Sequence, residues 1–337
     1  MSRKRAHIPL IVAAVLVWLF ATPTEANDIV KIGAVKVAAN GPNFIALEKG
    51  YFADEGLTAE ITFFESAEPI AVAVVSGSID FGATGPGGAF YNLAGQNAVR
   101  IISGLAREAP GFPVFVFAVS NQATKTGFTS FKDMGGRSVS VTQLGSPAHY
   151  ATALLEAKYK IDPKSVRILP LQSQSNQISA VTGGQADSGV ILATAATPAI
   201  QRGDIQRLAY VGDETPFQTG ILFTAGSTAR DRGDLVRRFL QAFRKGARDY
   251  HDAFVDEDGK RRDGPAAEEI LGILAKYVGQ PPAQIRAGIS FIDSDATLDV
   301  KDIERQLAWF QAQGMVKPEV RADQVFDRRY VIPLNGR

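Results

Sequence analysis

Ile29-Val-Lys-Ile-Gly-Ala-Val35 opens the stretch that decides the fold, which runs on to Gly82. The run is short and apolar, as a strand buried on both faces requires. Asn40-Gly-Pro-Asn43 breaks it, and Phe44 to Lys49 supplies one or two helical turns. Gly50 follows where the left-handed residue that ends a helix is least strained. Leu57 to Phe64 reads as a second strand, Glu68 to Val75 as a helix and Ser78 to Gly82 as a third strand. Strands alternating with helices imply a parallel sheet, and hence an α/β fold. Such sheets bind ligands beyond the carboxyl ends of their strands. The loops at Lys36–Asn43, Glu65–Glu68 and Ala83–Gly88 are therefore expected to face a ligand.

Working outward, Val99 to Leu105 and Phe112 to Val119 read as two further buried strands. Asn121 to Ser130 is polar, and a new alternation follows it. Strands are predicted at Ser138–Val141, Val166–Pro170 and Ala186–Leu192, with helices at Pro147–Tyr159 and Ser175–Thr182. A strand near Gly220–Thr224 returns the chain to the first sheet. This gives two lobes, residues 27–120 with 218–337 and residues 121–217, joined by two crossings that form a double hinge. Beyond Thr228 the pattern is helical. Leu235, Phe239, Leu240, Phe243 and Ala247 make one apolar stripe. Further helices are expected at Ala266–Val278, from Pro281-Pro282, and at Val300–Gln313, with a charged, mobile loop at Val255–Asp263.

The N-terminus reads as a cleavable signal peptide, residues 1–26. Arg3-Lys4-Arg5 is a positive start, Leu10 to Phe20 an apolar core, and Thr24-Glu25-Ala26 places small residues where a signal peptidase looks. The apolar run is shorter than the roughly 20 residues that span a bilayer. Cleavage is expected after Ala26, which places the protein in the periplasm. Removing that segment takes away three positive charges and one negative, so the formal charge moves from +1 to −1. A near-neutral chain with scattered charges argues against a nucleic-acid partner. There is no cysteine, which removes disulfides, thiol catalysis and a lipid-bearing cysteine.

Three segments carry a resemblance. Gly50-Tyr-Phe-Ala-Asp-Glu-Gly-Leu57 is similar to the signature after the first helix of nitrate/sulfonate/taurine-type solute-binding proteins. Val75-Ser-Gly-Ser-Ile-Asp-Phe-Gly82 resembles a second signature of that family, and Val181-Thr-Gly-Gly-Gln-Ala-Asp-Ser-Gly189 repeats it. Their order and spacing fit over roughly Asp28 to Lys317. The resemblance implies a two-lobed periplasmic binding protein of type II, each lobe a mostly parallel sheet flanked by helices. It implies a monomer that captures a small, anionic organic solute and delivers it to the transmembrane subunits of an ABC permease, with no cofactor.

Thr142-Gln-Leu-Gly-Ser-Pro-Ala148 is the strongest site candidate. A strand ends, Pro147 suits the first turn of a helix, and Ser146 is its N-cap. Free amides and the helix dipole there suit an anion. The same sequence also fits a capped helix with nothing bound. In the resembling family the matching loops face the substrate, which implies Asn40, Asn43, Thr84, Gln143, Ser146 and Thr194 as contacts. Gly85 lets a ligand approach the backbone closely. His149 is expected as a polar cleft wall or helix-cap neighbour. Phe44, Phe64, Phe90, Tyr91, Tyr150 and Phe217 lie near strand ends, and those that reach the cleft would favour an organic solute. Arg107 either neutralises an acid group or lies on the surface beside Glu108.

Catalysis has little to draw on. After cleavage His149 and His251 are the histidines left. Leu144-Gly-Ser-Pro-Ala148 lacks the second glycine of a nucleophile elbow, and no histidine pair has metal-ligand spacing. The competing reading is an enzyme on the same scaffold in thiamine-pyrimidine or menaquinone precursor metabolism. The pyrimidine synthases of that kind carry a cysteine-rich motif. A sensor lobe of a membrane kinase, a third reading, needs a fused membrane segment.

Overall fold

The computed structural model describes residues 27–334; the expected signal peptide lies outside them. Two five-stranded sheets organise the chain. In the first, β1 (Asp28–Ala34) pairs in parallel with β2 (Leu57–Phe63) and β3 (Phe81–Thr84). Val30, Ile32 and Ala34 are fully buried, as the apolar opening run predicts. β2, an edge strand, starts with the buried Leu57 and then alternates exposed with half-buried residues. β4 (Val99–Gly104) completes the far side of this sheet.

A two-stranded ribbon lies between the sheets: β5 (Arg107–Glu108) pairs antiparallel with β11 (Phe217–Gln218). The second sheet holds β6 (Phe115–Ser120), β7 (Ser138–Val141), β8 (Arg167–Pro170), β9 (Ser188–Leu192) and β10 (Ile205–Tyr210). β12 (Ile221–Ala225) returns to the first sheet, where it runs antiparallel between β3 and β4. The orders are β2-β1-β3-β12-β4 and β8-β7-β9-β6-β10. They are the same arrangement twice, with one antiparallel strand in the fourth place of each.

One expectation needs correcting. The reading that starts the second lobe at Asn121 leaves Phe112–Val119 with the first sheet. In the structure Phe115–Ser120 pairs with β9 and β10 of the second. All six residues of β6 are buried, so the strand carries no alternation to show which sheet it joins. Sheet membership puts the first crossing before Phe115 and the return between Tyr210 and Ile221.

The helical C-terminal third closes over the first lobe. Helix Gly233–Phe254 buries its predicted stripe, including Phe239, whose ring stacks on Phe81 with centroids 3.7 Å apart. Helix Val300–Ala312 reaches the hinge ribbon. There the buried Asp302 accepts the amide of Gln218 at 2.8 Å, and Gln306 donates to the Gln218 carbonyl at 2.8 Å. The Gln218 side chain donates to the carbonyls of Ala106 and Gly220. Residues 255–263, expected as a loop, include an antiparallel bridge from Val255 to Arg261. None of the described helices is long and apolar enough to cross a membrane.

Candidate binding cleft

Parallel strands that end on one side deliver the helices after them to that side, amino ends first. Six N-cap residues consequently line one cleft between the lobes: Asn40, Ser66, Gly87, Ser146, Ser173 and Leu192. The first amides of a helix have no partner inside it. Some are taken: Ala193 donates to the Val114 carbonyl, and the Ser146 hydroxyl accepts from His149 N. The cleft has a volume of about 330 Å³, enough for a small organic molecule.

Its walls combine apolar and hydroxyl groups. Phe90 and Phe115 present ring surface, beside Val35, Leu105, Val114 and Leu192. Thr84, Thr142, Ser146, Ser173 and Thr219 add hydroxyls. Among the described residues no lysine or arginine lines it; the charged lining groups are Glu65 and Glu68, both exposed.

The lobes touch across this cleft. Gly88 N donates to the Gly145 carbonyl at 3.0 Å, and Gln143 Nε2 meets Glu68 Oε2 at 3.5 Å. Two glycines permit the approach. A Cβ on Gly87 would lie 2.6 Å from the Gly145 oxygen, and one on Gly85 would lie 2.6 Å from Pro147 Cγ. Neither distance is tolerable for a side chain.

Of the residues expected at the site, Asn40, Thr84, Gly85, Gln143 and Ser146 line the cleft. Four lie off it. Asn43 is buried in helix Gly41–Glu48, with neither side-chain polar atom bonded. His149 Nδ1 accepts the Gly145 amide at 3.0 Å and its ring packs edge-on against Trp309. Burial holds its pKa below the ordinary histidine value. Thr194 sits at the start of helix Ala193–Gln201, where its carbonyl accepts from Gln284. Phe217 packs against Tyr150 at the hinge. Among the aromatic candidates Phe90 lines the cleft, whereas Phe44 stacks on Tyr277 and Tyr91 is fully buried.

Arg107 fits neither of its two readings. It is largely buried in the hinge, stacked on Phe291 with 5.1 Å to the ring centroid. Burial lowers its pKa from the ordinary guanidinium value. Residues not anticipated include Phe115, Leu192, Leu105, Val114, Thr219 and the polar run Gln172–Ser175. Gln172–Ser175 follows β8 as Glu65–Glu68 follows β2, so the strand-end rule applied to the second sheet would have found it.

A family model described as NMT1/THI5 like matches residues 39–253. The chain belongs to the NMT1/THI5-like family. No curated protein sequence matches it. Among solved structures it is similar to the periplasmic aliphatic sulphonate-binding protein SsuA of Escherichia coli, with TM-score 0.70, 16% identity and coverage of 92% of this chain and 94% of that one. It is also similar to the periplasmic nitrate-binding protein NrtA of Synechocystis PCC 6803, with TM-score 0.69, 14% identity and coverage of 90% and 87%. The desulfurization enzyme DSZB matches with TM-score 0.61, 13% identity and coverage of 91% and 97%. The fold of this NMT1/THI5-like chain is thus that of the periplasmic binding proteins, and the same scaffold also serves an enzyme.

Proposed function

We propose that the protein is the solute-binding receptor of an ABC importer, capturing a small organic acid between its lobes and releasing it unchanged to the permease. The observation that carries this reading is the convergence of helix amino ends from both lobes on one cleft. An acid group held there is neutralised by amides and hydroxyls, without a cationic side chain. The ring surfaces of Phe90 and Phe115 suit an organic body over a bare oxyanion. A guest that contacts both lobes favours the closed form by its differential affinity for it, and closure needs nothing more.

Among the described residues no histidine, lysine or tyrosine lines the cleft, which supports binding without turnover. His149 faces Trp309 and the Gly145 amide, not the guest space. A thermal-shift panel of sulfonates, carboxylates and pyrimidines tests the reading. One solute should raise the melting temperature by several degrees and be recovered intact. Turnover of that solute would establish the enzyme reading instead. Ser146→Ala should weaken the binding of that solute by about 1–3 kcal/mol; an unchanged dissociation constant would remove Ser146 from the contact set.

A further inference from the structure

Helix Val300–Ala312 and the turn after it belong to the first lobe by their contacts. Gln306 accepts the Tyr91 hydroxyl at 3.2 Å, Phe310 packs on that ring with centroids 5.4 Å apart, and the Met315 carbonyl accepts from Asn92 Nδ2 at 2.8 Å. The same segment reaches the second lobe. The Trp309 ring lies 5.1 Å from His149 and 5.4 Å from Tyr150, centroid to centroid. Met315 adjoins Gly145 of the second lobe, which is left-handed at φ +75°. A Cβ placed on Gly145 would lie 3.5 Å from Met315 Sδ and 3.6 Å from Gly88 N. Its carbonyl accepts that Gly88 amide across the cleft, and its own amide donates to His149 Nδ1. One histidine thus holds a residue through which the lobes join.

The tautomer follows from this bond. Nδ1 accepts, so the neutral ring carries its hydrogen on Nε2. A further proton has to go to Nδ1, where it faces the Gly145 N–H, donor against donor. Gly145 then loses the bond that holds it, and a buried amide without an acceptor is costly. Burial already favours the neutral ring. The charged groups on the neighbouring elements lie elsewhere: Asp302 and Arg305 meet Tyr150, and Glu68 meets Gln143. We propose that His149 is a positioning residue for capture: neutral, it presents the Gly145 carbonyl to Gly88 and keeps the lobes shut; protonated, it gives up Gly145 and the lobes part. The proposal rests on the receptor reading above and makes the hold on a guest weaken in acid.

Distances between spin labels test it without a known solute. The chain has no cysteine, so Val72→Cys and Ser179→Cys, both at exposed helical positions, place one label on each lobe. In the protein alone, and with benzenesulfonate, whose charge is constant in this range, the population at the shorter distance should fall about threefold or more from pH 7.5 to pH 5. The midpoint should coincide with titration of the His149 ring followed by NMR. Far-ultraviolet circular dichroism should stay constant, which separates parting of the lobes from unfolding. His149→Gln, which offers an acceptor but takes no proton, should keep the shorter distance in acid. His251→Gln should leave the profile as it is. A distribution that ignores pH, a midpoint away from the His149 titration, or an acid response that survives His149→Gln would overturn the inference. If that variant does not fold, the coincidence of midpoints decides. The receptor reading is judged separately, by the solute panel above.

Discussion

Glu108 shows how much one residue is asked to hold at the hinge. Its carboxyl accepts the amides of Phe115 at 2.6 Å and Val114 at 3.3 Å, where the chain enters β6. Burial nevertheless pushes its pKa up to about 8, outweighing those amides. The folded protein therefore keeps a proton that the unfolded chain releases near pH 4.3. Stability from this group is complete below that ordinary value and is lost as pH rises through about 8. Glu108→Gln should flatten the decline of melting temperature across that window; an unchanged slope would rule the assignment out. His149 has the opposite sign. Its neutral form accepts the Gly145 amide, and burial lowers its pKa. Its contribution is present above about pH 6.5 and fades as pH falls. His149→Gln, which keeps an acceptor, should lose less stability than the unaltered protein between pH 7 and 5. The cap at Ser146 was legible from Ser-Pro after a strand. The displacement of His149 was not, because Trp309 is more than a hundred residues further along the chain.

At the scale of elements, helix Pro147–Tyr159 and strand Ser138–Val141 fall where the sequence places them. Punctuation explains that success: Ser146-Pro147 marks the helix start, and a polar loop marks the strand end. Residues 193–210 gave no such mark. Helix Ala193–Gln201 carries Pro198 inside it, which argues against a helix in any reading by propensity. The contacts between elements yield two predictions. Gly87→Ala sets a methyl against the Gly145 carbonyl, and Gly87 has the extended backbone that alanine accepts. The unliganded fold should melt nearly unchanged while affinity for the solute drops about tenfold or more, since only the closed form is opposed. Equal loss in both measurements would show that the contact serves folding. Trp309→Ala removes a half-buried ring from His149, Tyr150 and Phe310. Denaturant unfolding should show a loss of about 2 kcal/mol, less than for a fully buried tryptophan.

For the molecule as a whole, two runs of alternating strands and helices were readable from period and punctuation, and the family resemblance implied that they form two lobes. The point of division was not, because a strand buried on both faces looks alike in either sheet. Closure is the property that belongs at this scale. Scattering in solution should report a smaller radius of gyration with saturating solute than without it, and Gly87→Ala should blunt the change. An identical radius in both states would mean that the lobes do not move.

The fourth place in each sheet has a consequence for how the polypeptide is made. β3 and β4 are separated by the width of one strand, and the strand that fills it is β12, encoded after the entire second lobe. While the ribosome or a translocation channel still holds residues before Ile221, the first sheet has two unpaired rims facing an empty slot. Those rims would attract any extended chain nearby. The half that emerges first is thus the half completed last, and a helper that shields nascent segments would be needed most while the second half is being synthesised.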